Sequence, residues 1–426
     1  MAEFIKQSQH IEKQDTGNVK EIVTKALSDV RKDGIKAVRG LSEKFDKWNP
    51  ESFRVSQQEI EQAVKNVPET FKQDTQYCQA QVRAFAQAQL ESLSEFEKEI
   101  QPGTFLGQKL IPLSNVGAYV PGGRYPIVSS VQMSTIPPKV AGVERVIACS
   151  PARDGEGIHP GVLYAMHLAG VDEIYSLGGI QAIGTMAYGV EGIEPVDFIV
   201  GPGNAFVAEA KRQVFGKVGI DQIAGPSENL IIADEQADPV LVAADIWGQC
   251  EHDLNAVSIL VTTSRKLAED VQEEMNRQIS TLETAEVAQG SWDRNGMIIL
   301  VADKEEAVKV ADEYAIEHVQ VQAEDLDYYL AKLKNYGSLF LGEETTVTYG
   351  DKGIGTNHIL PTGEAAKYTG GLWVGKFIKT VTYQRCTQEA SSKLAPIIGN
   401  QCRYEGMAAH AVTADVRGKK FSKLNV

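Results

Sequence analysis

Four clusters in this 426-residue chain carry the side-chain types and spacings that could do chemistry. Gln249, Cys250, Glu251 and His252 close an apolar stretch that begins near Pro239. Gln249 and His252 are three residues apart, so on a helix both project from one face. A neutral imidazole is a good ligand for zinc and other first-row metals; the plainer alternative is a helix C-terminus whose histidine meets the last carbonyls. Glu317 and His318 are adjacent where a helical stretch gives way to Val319-Gln320-Val321-Gln322. An acid beside an imidazole suits general acid–base work, because both can be tuned toward neutrality; a solvated helix end is the alternative. Asp351 and His358 lie in a run with three glycines, Gly350, Gly353 and Gly355, which permits unusual backbone geometry around polar side chains. A solvent loop would also fit. Glu405 and His410 form the last acid–imidazole pair, and His410 completes a His, His, Asp and carboxamide set able to coordinate one metal. The remaining histidines, His10 in a polar tail and His159 and His167 beside or on a helix, read as surface or packing residues.

Three glycine turns follow apolar strands: Val120-Pro121-Gly122-Gly123-Arg124, Gly178-Gly179-Ile180-Gln181 and Gly201-Pro202-Gly203-Asn204. In a parallel sheet, ligands bind beyond the carboxyl ends of strands, where helix N-termini offer free N–H groups. The third turn begins like a dinucleotide fingerprint but has Phe206 where the third glycine belongs, so composition leaves the cofactor open. Zinc-finger cysteine spacing, H-E-x-x-H, G-x-S-x-G and G-x-x-x-x-G-K-[ST] patterns are all missing.

The elements that must position these residues read as follows. The first hundred residues are helical, with Ile22, Val23, Ala26, Leu27 and Val30 at helical spacing within 19–45 and a long run over 68–95. From about Leu110 short strands alternate with helices: strands near 116–120, 143–149, 173–177 and 196–200, with helices at 160–169, after Gln181 and through Phe215. A second block continues with strands at 230–233, 257–261 and 297–301 and helices at 239–252, 265–282 and 304–316. This alternation predicts an α/β fold with a parallel, doubly wound sheet. From Leu372 the chain reads as a helical tail ending in a loose, basic Arg417-Gly418-Lys419-Lys420.

Length exceeds what one core usually holds, so two or more domains are expected. A formal net charge of -15 without a Lys/Arg cluster argues against nucleic acid. The longest apolar runs fall short of a membrane span, and the polar N-terminus does not read as a signal peptide. Five scattered cysteines, an odd number with no C-x-x-C pair, predict reduced thiols in a cytoplasmic protein.

Taken together, Gly117 to Arg124, Gly201-Pro202-Gly203-Asn204, Gly225-Pro226-Ser227-Glu228, Gln249-x-Glu251-His252, Glu317-His318, Gly355-Thr356-Asn357-His358-x-Leu360-Pro361 and Glu405-Gly406-x-x-x-His410 resemble the signature segments of the histidinol dehydrogenase family. They occur in that family's order and span about residues 18–417. The resemblance implies two Rossmann-like parallel-sheet domains with helical N- and C-terminal extensions, in an intertwined homodimer. Its expected boundaries are an N-terminal arm over 1–17, a first α/β domain over 18–119 plus 229–371, a second over 120–228, and an exchanged tail over 372–426. It implies Gln249, His252, Asp351 and His410 as zinc ligands, and Tyr119, Gln181 and Asn204 as NAD contacts. His318 would be the general base in both oxidations, Glu317 would activate water, and Ser227, His358 and Glu405 would touch substrate, with His410 and Glu405 supplied by the partner subunit. The implied reaction takes a primary alcohol through its aldehyde to a carboxylate, the substrate being histidinol in the family's namesake. The segments 367–379 and 45–53 look closer to a branch that oxidises 2,3-dihydroxypropane-1-sulfonate to sulfolactate. Lys376 stands where histidinol enzymes tend to carry an acid, and a cation there would favour a sulfonate over an ammonium.

Overall fold

The computed structural model describes residues 2–8, 16–122, 125–153, 155–190, 192–223 and 225–422. His10, Gly123, Arg124 and the last four residues lie outside them. The chain forms two compact units, residues 1–89 with 113–376 and residues 90–112 with 377–426.

The first unit is built on two sheets. In the five-stranded sheet the spatial order is Glu173–Ser176, Arg145–Ser150, Asn115–Tyr119, Phe198–Val200 and Gly219–Ile220, with every neighbouring pair parallel. Along the chain that is order 3-2-1-4-5, a doubly wound pattern whose switch point lies between Asn115–Tyr119 and Phe198–Val200. The other sheet repeats the plan with Met297–Leu300, Val257–Thr262, Glu228–Ala233, His318–Gln322 and Ser338–Leu341, also parallel. Strands covered on both faces read as continuous apolar runs, and Leu230-Ile231-Ile232-Ala233 is one. Ile231 packs with Val242, Ile246 and Trp247 on one side, while Leu230 and Ile232 pack with Val310, Val319 and Val321 on the other.

Several expectations are corrected. The helical stretch over 19–45 is two helices, Thr16–Asp33 and Ile35–Asp46, broken at Gly34, whose φ of 55° suits a residue without Cβ. Val23, Ala26, Leu27 and Val30 join the core of the five-stranded sheet, with Val30 and Leu27 seated over Gly184. The ladder of Asn115–Tyr119 likewise runs to Arg145–Ser150 and Phe198–Val200. The stretches 16–46 and 115–119 therefore pack with the 120–228 block rather than with 229–371. The expected polar arm contributes an edge strand, Glu3–Lys6, antiparallel to Met297–Leu300. Lys6 Nζ anchors it by donating to the carbonyls of Trp292 and Gly296.

The second unit departs most from the helical expectation. The long helix stops at Glu91 (Glu69–Glu91), and Phe96–Gln101 and Thr104–Pro112 form a hairpin. The tail begins with a strand, Ile378–Cys386, antiparallel to Thr104–Pro112. Its Ile378, Thr380, Val381, Thr382 and Tyr383 are strand-favouring types. The helices Gln388–Tyr404 and Ala408–Ser422 follow and pack on each other, so Arg417 to Lys420 are helical rather than loose. Among the described residues no helix is long and apolar enough to cross a membrane. All five cysteines are free thiols.

Candidate active site

A cavity of about 540 Å³ in the first unit is lined by residues flanking strands of both its sheets. Pro202 and residues 125–130 reach it from the carboxyl end of the five-stranded switch point. Ser227, Glu317 and His318 reach it from the amino ends of Glu228–Ala233 and His318–Gln322, the central strands at the switch point of the other sheet. The carboxyl-end rule thus holds for one sheet and is inverted for the other. Glu251 and His252, just past the helix Pro239–Cys250, and Asp351, Lys352 and His358 complete the polar wall.

Glu317 and His318 are buried side by side, Glu317 Oε2 lying 3.4 Å from His318 Nδ1. The Glu228 backbone holds both. Its N–H donates to Glu317 Oε2 at 2.9 Å, and its carbonyl accepts from His318 Nδ1 at 2.9 Å. A carbonyl can only accept, so Nδ1 carries a proton and Nε2 is left as the working nitrogen. Nε2 is buried without a hydrogen-bond partner among the described residues, with Asp351 Oδ1 standing 3.7 Å away. Burial lifts the Glu317 carboxyl to about 7, with the charge of His318 opposing. For His318, burial disfavours the imidazolium, but the Glu317 carboxylate and then Asp351 override it and raise the imidazole to about 9. Burial also works against the Asp351 anion; His318, His358 and His252 outweigh it and hold that carboxyl below its usual range.

Burial outweighs the pull of Asp351 and pushes the His252 and His358 imidazoles below their usual value. His358 Nδ1 donates to the Asp351 carbonyl at 2.9 Å. Gln249 is buried in the last turn of Pro239–Cys250, and its Nε2 has no partner among the described residues. Among the described residues no group of three His, Cys, Asp or Glu side chains is poised to hold a metal.

The expected cofactor residues sit at the carboxyl end of the five-stranded sheet. Tyr119 is buried, its phenol pushed up to about 12 by burial, and its hydroxyl accepts from Gly179 N–H. Gln181 donates to Asp46 at 2.8 Å and leaves its own Oε1 buried without a partner among the described residues. Asn204 caps the helix Ala205–Val214, its Oδ1 accepting from the N–H groups of Phe206 and Val207. Beneath that turn Lys211 donates to the Gly201 carbonyl and pairs with Asp221, which in turn accepts Gly201 N–H. Gly201 has φ 123°, and an added Cβ would lie 2.0 Å from the Tyr119 carbonyl oxygen. Gly201→Ala is expected to cost on the order of 3 kcal/mol or more, read as a lowered denaturant midpoint; an unchanged midpoint would contradict the packing.

Of the expected site residues, Ser227, His252, Glu317, His318, Asp351 and His358 line the cavity. Lys376, in the short turn Val374–Phe377, does not; among the described residues the cation lining the cavity is Lys352. Glu405 and His410 belong to the second unit and are exposed. Of the two histidines read as packing, His159 caps the helix Pro160–Ala169 by accepting Gly161 N–H, and His167 is exposed in its last turn. The sequence reading gave no role to Glu251, Lys352 and Glu228. Each is a direct chain neighbour of a residue that was singled out, which is the signal that could have found it.

The histidinol dehydrogenase family profile matches residues 9–418. The chain is 54% identical to a histidinol dehydrogenase homolog of Shouchella clausii, covering 99% of this chain and 100% of that protein. It is 45% identical to sulfopropanediol 3-dehydrogenase of Ruegeria pomeroyi (98% and 97% covered). It is 43% identical to histidinol dehydrogenase of Methanothermobacter thermautotrophicus (93% of each covered). The crystal structure of histidinol dehydrogenase from Elizabethkingia anophelis superposes with a TM-score of 0.92 at 33% identity, covering 98% of this chain and 95% of that one. A doubly wound α/β oxidoreductase with a buried acid–imidazole pair is the class these features define. The chain belongs to the histidinol dehydrogenase family.

Proposed function

We propose that the chain oxidises a small primary alcohol through its aldehyde to the carboxylate, with NAD as hydride acceptor and zinc in the site. The observation that carries this reading is the buried Glu317–His318 pair, with His318 Nδ1 held by the Glu228 carbonyl and Nε2 without a hydrogen-bond partner among the described residues. In its neutral form, which gains population as pH rises toward about 9, His318 takes the alcohol proton at Nε2 as hydride leaves the carbinol carbon. Glu317 takes a proton from water as its oxygen adds to the aldehyde carbon, and a second hydride leaves the hydrate. One alcohol, one water and two NAD+ give one carboxylate, two NADH and three protons.

The donor set fits zinc in kind: the imidazole of His252, the anionic Asp351 and the buried carboxamide of Gln249, which would bind through its oxygen. We assign the fourth donor, His410, and the substrate contact Glu405 to a second copy of the chain in a homodimer. Tyr404, Met407, Val412 and Val416 surround them as exposed apolar residues, which suits an interface. Zinc would supply Lewis acidity or a substrate template. Tyr119, Gln181 and Asn204 would hold NAD, the unsatisfied Gln181 Oε1 supporting a ligand there. Ser227 and His358 would hold substrate.

For the substrate we favour 2,3-dihydroxypropane-1-sulfonate. The argument from Lys376 passes to Lys352, which lines the cavity. A specific observation favours histidinol as second reading: Glu251 also lines the cavity, where a carboxylate would attract an ammonium. Steady-state assays with NAD and each alcohol separate them. We expect the larger kcat/KM with the sulfonate diol, and Lys352→Gln to lower it about tenfold while sparing histidinol. Faster turnover of histidinol would overturn the choice.

A further inference from the structure

Three elements bring the candidate donors and the base to the cavity, and one carboxylate outside it ties all three together. Asp245 lies in Pro239–Cys250 one turn before Gln249, on the same helix face, and seven residues before His252, which follows the helix. Its Oδ2 accepts from Gln320 Nε2 and Gln322 Nε2, each at 2.8 Å. Those two glutamines alternate with buried valines in His318–Gln322, so they share the strand face of His318. Gln320 Oε1 accepts from Asn229 Nδ2 at 3.1 Å, which extends the tie to the central strand. The other oxygen, Asp245 Oδ1, accepts from Thr346 Oγ1 at 2.8 Å. Thr346 is the N-cap of Val347–Lys352, the short helix that carries Asp351. Gln320 and Gln322 are buried to within 2% exposure, where a carboxamide needs a partner.

We propose that Asp245 is a positioning residue: by accepting from one strand and one helix cap at once, it sets the placement of Gln249, His252 and Asp351 relative to His318. Without it, Gln320 and Gln322 would each leave a buried amide unmatched. The three elements would then lose their common reference while each kept its own fold. The inference rests on the metal-assisted reading above, and its test separates the two.

Cobalt(II) binding to the purified full chain, with its visible d–d spectrum, is measured for wild type, Asp245→Leu and Asp245→Asn. The expected result is a 10- to 100-fold weaker cobalt affinity and an altered spectrum in Asp245→Leu. A smaller loss is expected in Asp245→Asn, which keeps one carbonyl oxygen for the glutamines. A residue that only supports the fold would lower the melting temperature and leave the affinity of the folded fraction unchanged, and that result would overturn the proposal. If Asp245→Leu does not fold, Thr346→Val removes the arm to the Asp351 helix alone; a wild-type affinity there overturns it equally. If wild type itself binds no cobalt, the metal reading fails separately. The variants then test positioning through kcat against KM: a fall in kcat at constant KM supports it and an unchanged kcat sinks it.

Discussion

His318→Gln lowers kcat by about 100- to 10,000-fold, with KM changed by no more than a few-fold. The reasoning begins at Glu228, whose carbonyl fixes the proton on Nδ1 and so reserves Nε2 for the alcohol. Glutamine fills a similar volume and can still donate to that carbonyl, but its amide cannot take up a proton. The carboxylates of Glu317 and Asp351 flank the ring from its two nitrogens, so the change removes the group that both act upon. Glu317→Gln tests the companion role. The Glu228 N–H keeps an oxygen acceptor, so the fold is retained, but water loses its base. Assayed from the aldehyde, that variant should lose acid formation by a comparable factor. Stopped-flow and steady-state NADH formation on variants with native circular dichroism check both. A His318→Gln loss below about tenfold, or full aldehyde oxidation by Glu317→Gln, would contradict the assigned roles.

Asp221→Leu destabilises the first unit by about 3–5 kcal/mol. Lys211 and Asp221 are both almost wholly buried, with side chains 4% and 1% exposed. Removing one leaves the other as an uncompensated charge in the interior, a larger effect than the pair's net contribution. Gly201 also loses one of its two partners, since Lys211 holds its carbonyl and Asp221 its N–H. Lys211→Met should cost a similar amount, and the double variant Lys211→Met/Asp221→Leu less than the sum, because no charge is orphaned. Urea unfolding followed by fluorescence measures these costs. Because the same clamp shapes the turn at the switch point, NADH affinity should fall in both single variants. Single variants within about 1 kcal/mol of wild type would contradict this account of the turn.

The α/β alternation was legible because strands such as Leu230 to Ala233, followed by Asp238, are short apolar runs bounded by glycine or a cap. The chemistry-bearing residues were legible as types, and six of them share one cavity. What the pattern hid was long-range. Ile378–Cys386 is strand-like in composition, but its partner is Thr104–Pro112, and nothing local announces a pairing across so much chain. Glu3–Lys6 has only Phe4 and Ile5 as apolar residues, too few for a periodic signal. Lys376 was named from the family resemblance of its segment, which carries no information on what lines the cavity. Lys352 reaches the cavity through the short helix that presents Asp351. Asp245 was invisible as a functional residue because its partners are two glutamines and a threonine from elements far along the chain.

The most direct measurement of the central claim is the yield of NADH per alcohol when a limiting amount of the faster-reacting alcohol is consumed with excess NAD. The account predicts two NADH for each alcohol, with the carboxylate as product and no free aldehyde trapped by an added hydrazine. One NADH for each alcohol, with the aldehyde recovered as its hydrazone, would contradict it.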